Sequence, residues 1–380
     1  MSQAKPHVAF YLRMLSGGGA ERVIVNLAQG FVQKGVKVDL VLNIVKGPYL
    51  EQLSSEVRII DLKTPRLLKG LPRLARYLKK ERPQALFSAL HYNNEIAILA
   101  KYLARVSTRV VVSERNTLSV RAKNITGSER WSPLFARLSY SWADGIVAVS
   151  QGVAQDLANL TGIPQSQIQV IYNPVKTLEV QNKAKEPLEH AWFANGEPPV
   201  ILGVGRLHKQ KDFPTLIQAF KQVREVQTCR LIILGVGPEK QKLITLVEEL
   251  GLKNDVAILG FAKNPYAYMA QSTVFVLSSA WEGFSNVILE AMAVGTPVIS
   301  TNCQSGSAEA LDNGKYGLLV SVGDSQAMAE AILQVLSGQT KSVDLAWLDQ
   351  FSLENITQQY LDILGIKVKM AVLENGLINE

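Results

Sequence analysis

A chain of 380 residues, 47% hydrophobic and 19% charged, can bury two cores and is too ordinary in composition to be fibrous or disordered. It has no run of about 18 apolar residues and no basic-then-apolar leader. Its only cysteines, Cys229 and Cys303, lack metal-ligand spacing, so a soluble protein of a reducing cytoplasmic compartment is expected, with no metal site and no disulfide. The net charge of +7 is lopsided: residues 1–174 hold 23 Lys and Arg against 11 Asp and Glu (+12), and the rest hold 17 against 22 (−5), which directs the first half to a polyanionic partner.

Residues 7–14 form an apolar strand pattern that runs into Ser16-Gly17-Gly18-Gly19-Ala20-Glu21-Arg22. A helical pattern over 23–32, stopped by Gly35, and a strand at 36–43 complete the right-handed crossover of a parallel sheet. Three successive glycines let a backbone approach a ligand ahead of a helix N-terminus, or make a plain tight turn. Their spacing is not G-x-G-x-x-G. After a strand at 57–62 comes the basic stretch 64–82. In it Leu71, Leu74, Ala75 and Leu78 keep helical spacing while Arg73, Arg76, Lys79 and Lys80 fill the other positions. Such a helix covers a sheet with a solvated basic face or lies on an anionic membrane surface. Arg66-Leu67-Leu68-Lys69 is the preferred membrane contact, because its leucines have no evident core role.

Strands at 85–89 and 109–112 end in His91 and in Ser113-Glu114-Arg115-Asn116, with a helix over 96–104 between them. Ligands of an open parallel sheet sit beyond the C-terminal strand ends. His91 and Arg115 are therefore candidates to bond a hydroxyl or phosphate, against a cap or loop role. Residues 119–131 look like a polar, basic loop. A strand at 145–150, a helix to 160 and a strand at 168–172 lead to Asn173-Pro174, which closes the first domain, and 176–199 look like a linker.

A second strand–helix series follows: a strand at 200–204 with Gly205-Arg206 and Lys211 behind it, a strand at 230–234 ending in Gly235-Val236-Gly237-Pro238, and a strand at 256–259 before Phe261. The strand at 274–277 precedes Glu282-Gly283-Phe284-Ser285-Asn286-Val287 and a helix carrying Glu290. Two carboxylates eight positions apart, flanking a loop at a helix start, suit an anion or sugar site, or are two solvated glutamates. Strands at 297–300 and 317–320 and helices at 325–336 and 351–364 end the pattern. Two Rossmann-like doubly wound α/β domains facing across a cleft are expected, residues 1–174 plus 352–380 and residues 175–351.

The Gly17–Glu21 loop, Gly205-Arg206-Leu207 with Lys211, Gly235…Gly237-Pro238 and Glu282-Gly283-Phe284…Glu290-Ala291 resemble the family-4 retaining glycosyltransferases (glycosyl transferases group 1) of the GT-B fold over essentially the whole chain. The E-x7-E stretch with Gly295-Thr296-Pro297-Val298 downstream is the specific part. The resemblance implies a retaining, metal-independent hexosyltransferase of polysaccharide or glycoconjugate biosynthesis. It implies a nucleotide-sugar co-substrate, UDP-linked, and no other cofactor. Arg206 and Lys211 would stabilise the leaving diphosphate, Glu282 would hold the sugar hydroxyls, and Glu290 the ribose. Gly18, Gly19, Gly205, Gly283, Phe284, Ser285, Asn286 and Val287 would line the donor, with Phe261 near the base. The chain has no D-x-D pair to anchor a metal. Family members carry a histidine at the end of a first-domain strand; Arg115 stands where some have it and His91 lies one strand earlier. That leaves open which of the two faces the donor sugar; His91 joins Arg206, Lys211 and Glu282 as a catalytic candidate, and Arg115 and Asn116 are acceptor-side candidates. Ser113-Glu114-Arg115-Asn116 resembles the subgroup acting on lipid-linked acceptors. The implied partners are a glycan or lipid-linked acceptor and the inner face of an anionic membrane, not nucleic acid. The rival readings are a nucleotide-sugar epimerase on the same fold and a non-catalytic partner subunit.

Overall fold

The computed structural model describes residues 5–124 and 131–368. Seven parallel strands build the first sheet: β1 (His7–Leu12), β2 (Lys37–Leu42), β3 (Arg58–Asp61), β4 (Ala85–Ala89), β5 (Arg109–Glu114), β6 (Gly145–Ala148) and β7 (Ile168–Val170), in the order β3-β2-β1-β4-β5-β6-β7. Six more build the second: β8 (Val200–Val204), β9 (Arg230–Leu234), β10 (Val256–Gly260), β11 (Val274–Leu277), β12 (Val298–Thr301) and β13 (Leu318–Val320), in the order β10-β9-β8-β11-β12-β13. Both central strand sets are buried on both faces, as continuous Val/Ile/Leu runs between helices require. This is the two-domain GT-B arrangement.

Each order reverses once, between β1 and β4 and between β8 and β11. At such a switch point the connections leave in opposite directions and a crevice opens beyond the strand ends. In the second sheet, β11 pairs with β8 only at Val274↔Ile201 and Phe275↔Leu202, so the strands part company toward their C-terminal ends. The four loops singled out in the sequence follow these four strands: the glycine loop after β1, His91 after β4, Arg206 to Lys211 after β8 and Glu282 after β11.

The chain crosses between the sheets twice, and the crossings are tied together where Val175 N donates to Phe351 O at 2.8 Å. The rings of Tyr172, Phe284 and Phe351 meet at centroid distances of 5.0 to 5.6 Å, forming an apolar joint between the two halves. The last helix, Leu353–Ile363, returns to the first sheet. Tyr360 packs on Phe87 at 5.0 Å, and Lys34 pairs with Glu354 at 2.8 Å. Helix Gly19–Gln33 lies close to it because Gly30 has no side chain; a Cβ there would meet Thr357 Oγ1 at 2.3 Å. Residues 369–380 of the expected first domain lie outside the described residues.

Three local expectations change. The 176–199 linker contains helix Thr177–Ala184, whose one buried side chain is Val180 and whose Gln181 donates to Ala293 O at 3.0 Å. One apolar contact leaves almost no periodic signal. Residues 119–124 of the expected basic loop at 119–131 belong to helix Leu118–Asn124, and helix Ser132–Ser139 follows it; residues 125–130 lie outside the described residues. The basic helix spans Leu67–Glu81, begins earlier than its pattern and runs through Pro72. Leu67 is therefore half-buried in its first turn and Leu68 alone is 77% exposed. Among the described residues no helix is long and apolar enough to cross a membrane.

Candidate active site

Glu282 is 7% exposed, and a carboxylate that deep must be paired. Lys211 Nζ donates to its Oε1 at 2.5 Å, Ser279 Oγ donates to the same oxygen at 2.7 Å, and Gln210 Nε2 lies 3.5 Å from Oε2. Gln210 also donates to Trp281 O at 2.9 Å, which fixes the loop that carries the acid. Lys211 reaches Glu282 by passing over Gly205, where a Cβ would sit 3.0 Å from the Lys211 Cε. Arg206, one position along, is exposed, and its guanidinium has no hydrogen bond or ion pair among the described residues. Two cations thus stand at the end of β8, one spent on Glu282 and one unengaged.

Behind Glu282 the backbone is braced by Ser305, whose hydroxyl donates to Glu282 O at 2.5 Å. Helix Asn286–Ala293 starts here with Ser285 at its N-cap. The Ser285 side chain makes no cap bond, and its hydroxyl is buried without a partner. The first-turn amides of Asn286 and Val287 have no carbonyl to pair with inside the helix and point their dipole outward. The Phe284 ring is committed to the apolar joint, so only its backbone remains for a ligand. Glu290 is 3% exposed and receives a hydrogen bond from Arg22 of the first domain. Phe261, just past β10, is 69% exposed and displays its ring to solvent. Burial pushes the Cys303 thiol up, away from the thiolate form.

On the facing domain, Gly17 takes a φ of +94° that only glycine holds comfortably, and Gly18 caps helix Gly19–Gln33. A Cβ at Gly18 would lie 2.4 Å from Glu21 Oε2, so Gly18 makes room for Glu21, which Ser16 Oγ holds at 2.7 Å. Nothing lies within 4 Å of a Cβ at Gly19. His91 is 7% exposed with its ring 4.6 Å from Tyr92, between Leu90 (φ +75°) and Tyr92 (φ +63°). Two non-glycine residues in the left-handed region around one histidine are the kind of strain found where a side chain must be aimed. Four residues on, Glu95 is buried in the first turn of helix Asn93–Ala104, and burial raises its carboxyl to about 7.

Arg115 is the first-domain residue pressed against the Glu282 loop. A Cβ on Gly283 would fall 2.0 Å from Arg115 O and 3.0 Å from Asn116 Cα. Arg115 NH1 donates to Asn173 Oδ1 at 2.8 Å, and Asn173 Nδ2 in turn donates to Asn286 Oδ1 at 2.7 Å. Its Nε and NH2 are buried without partners. Across the same joint, Glu309 accepts from the Gln151 and Gly152 amides at 2.8 and 3.1 Å. These amides open helix Gln151–Thr161, so the acid also meets the positive end of its dipole.

The structure therefore gathers Lys211, Glu282, Gly283, Ser285, Asn286 and Glu290 on one wall, with Arg115 and Asn116 touching it from the other. Sequence reasoning missed Ser279, Gln210, Ser305 and Glu309, and had Arg22 only as part of a glycine motif and Asn173 only as the end of a domain. The signal available for Ser305 and Glu309 was Ser305-Gly306 at the end of β12, a strand-end serine–glycine step of the kind already flagged elsewhere.

Residues 17–178 match the model of Glycosyltransferase Family 4, and residues 185–346 match that of Glycosyl transferases group 1. The chain is 32% identical over 339 residues to the N-acetylgalactosamine-N,N'-diacetylbacillosaminyl-diphospho-undecaprenol 4-alpha-N-acetylgalactosaminyltransferase of Campylobacter jejuni subsp. jejuni, covering 87% of this chain and 90% of that one. It is 29% identical to the lipopolysaccharide core biosynthesis glycosyltransferase LpsE of Rhizobium meliloti, over 92% of this chain and 96% of that one. Among solved structures, Anabaena HepE in complex with UDP and glucose superposes with a TM-score of 0.80 at 20% identity, over 95% and 99% of the two chains. The apo lipopolysaccharide outer core galactosyltransferase WaaB gives 0.73 at 23% identity, over 94% and 99%. At these identities the structural likenesses speak to fold.

Proposed function

Because the chain belongs to the family-4 glycosyltransferases of the GT-B fold, we propose that it moves a hexose-type sugar from a UDP-sugar, with retention and without a metal, to a lipid-linked or lipopolysaccharide-type glycan acceptor. The observation that carries this reading is the Lys211–Glu282 pair at 2.5 Å, set beside the open first turn of helix Asn286–Ala293 at a switch point. A diphosphate that gains charge as its bond to the sugar breaks is stabilised by fixed cations and free amides, here Arg206, Lys211, Asn286 and Val287. Glu282, held rigid by Ser279 and Gln210, is suited to accept from sugar hydroxyls. Glu290 exchanges its Arg22 partner for the two hydroxyls of a ribose, and Phe261 offers a face to the base.

In the step itself the bond between the anomeric carbon and the β-phosphate oxygen breaks as the acceptor oxygen bonds to the same carbon. The acceptor proton passes to the departing phosphate. No covalent enzyme intermediate is assigned. His91, aimed by its strained loop, is the first-domain catalytic candidate, and Arg115 with Asn116 belong to the acceptor side. The acceptor class is supported by the relative that acts on a diphospho-undecaprenol-linked sugar and by the lipopolysaccharide-core relatives. Two free, buried cysteines are consistent with work in the cytoplasm.

The test is UDP release by the purified protein from a panel of nucleotide sugars, with and without an undecaprenyl-diphosphate-linked acceptor, in chelator. Acceptor-dependent release with an α-linked product from an α-linked donor is expected. Conversion of donor without acceptor points to an epimerase, and neither turnover nor UDP binding removes the reading.

A further inference from the structure

We propose that the outer face of helices Asn93–Ala104 and Ser132–Ser139 is the surface on which this protein rests on an anionic lipid bilayer. On the first helix Tyr102 and Leu103 are 53% and 57% exposed; on the second Leu134 and Leu138 are 46% and 59% exposed. Trp142, just beyond, is 51% exposed. These side chains form one patch. Tyr102 OH donates to Trp142 O at 3.1 Å with the two rings 5.9 Å apart, which joins the two helices at one end. Phe135 lies 6.4 Å from Tyr92, the neighbour of His91, which joins them at the other. The stripe therefore runs the length of the helix pair and ends at the acceptor side of the cleft.

A contiguous stripe of half-exposed large apolar side chains marks a surface that is covered in use. Its chemistry selects the cover. Trp and Tyr prefer the boundary between hydrocarbon and water, where an apolar ring and a polar edge are both satisfied. At the Tyr102 end an open cavity of about 520 Å³ is lined by Lys79, Arg82 and Arg105 together with Tyr102 and Leu103. None of the three cations has an ion-pair partner among the described residues, and exposed Arg137 beside Leu138 has none either. Unneutralised cations around an apolar stripe match phosphate head groups above acyl chains. A second copy would bring the same cations against themselves, within a half that already carries the excess positive charge.

The surface moves the membrane contact away from Arg66–Lys69, where Leu68 is the one strongly exposed leucine. It deepens the lipid-linked acceptor reading: an acceptor held in the bilayer would reach the cleft from the Tyr92 end of the stripe.

The experiment is vesicle flotation of the full chain, without donor or acceptor, on phosphatidylcholine alone and on phosphatidylcholine with phosphatidylglycerol, at low salt and at about 0.5 M salt. The wild type is expected to float with anionic vesicles at low salt only. Leu134→Gln/Leu138→Gln and Arg82→Gln/Arg105→Gln should each lose partitioning by about tenfold or more. Leu68→Gln should float like the wild type, and melting temperatures and turnover of a water-soluble acceptor should not change in any variant. Flotation of both double variants at the wild-type level overturns the proposal. So does a wild-type dimer that Leu134→Gln/Leu138→Gln dissolves, because a second copy then covers the stripe. Flotation is read without turnover, so a protein that floats and transfers nothing removes the enzymatic reading alone. A protein that transfers sugar and never floats removes this one alone.

Discussion

Gly283→Ala adds a single methyl at the point where the two domains touch. Its φ lies outside the left-handed region, so alanine meets no backbone penalty there. The penalty is space: the new Cβ would sit 2.0 Å from Arg115 O and 2.6 Å from Arg115 C, both backbone atoms that cannot swing aside. Carbon and carbonyl oxygen settle at about 3.3 Å, so the Glu282 loop must retreat from Arg115 by about 1.3 Å. A misplacement of about 1 Å between reacting groups costs on the order of a hundredfold in rate, or about 2.7 kcal/mol of barrier. The contact exists only across the joint, so nucleotide binding to the second domain should be spared. The assay pairs UDP titration by calorimetry with steady-state transfer: Kd should stay within about threefold and kcat should fall by about a hundredfold. Gly152→Ala tests the same joint from behind the donor wall, since its Cβ would lie 2.4 Å from the Cβ of Ser305, which braces Glu282, and 2.7 Å from Gln304 O. If Gly283→Ala turns over within about threefold of the wild type, the closed contact is not the catalytic state and the reasoning fails.

Lys211→Ala strands the Glu282 carboxylate with only Ser279 and Gln210. Thermal melts should show a loss of about 3 kcal/mol, with at least a hundredfold loss of transfer. Adding Glu282→Gln should restore the stability and not the activity. Glu309→Gln removes a charge that two helix-starting amides share, so unfolding should cost about 1 to 2 kcal/mol less and X-ray scattering should show a wider particle. Glu95 provides a pH test. Its carboxyl is raised from 4.5 to about 7 by burial, so the folded state holds the extra proton between those values and stability falls as pH rises through that window. Glu95→Gln mimics the protonated form. Urea melts should find it level with the wild type near pH 4.5 and more stable, by up to about 3 kcal/mol, at pH 8. An equal gap at both pH values would show that ionisation of Glu95 is not what differs.

The sequence alone determined the architecture and one wall of the site. Parallel strands buried on both faces announce themselves as apolar runs. A ligand loop at their C-terminal ends must break that run with glycine and charge, so Gly17–Glu21, Gly205–Lys211 and Glu282–Glu290 were legible without coordinates. Where single contacts replace periodicity the sequence was silent: helix Thr177–Ala184 has only Val180 to mark it, and helices Leu118–Asn124 and Ser132–Ser139 are too short, at seven and eight residues, to show a period. What only the tertiary structure decided was pairing. Lys211 and Glu282, 71 positions apart, meet because β8 and β11 are neighbours in one sheet, and Arg22 and Glu290, 268 apart, meet across the domain joint; nothing in local pattern relates either pair. The same holds for the apolar stripe. Nothing in the sequence marked Tyr102, Leu103, Leu134 and Leu138 as outward-facing, because periodicity shows that a helix has an apolar face and only packing shows what covers it.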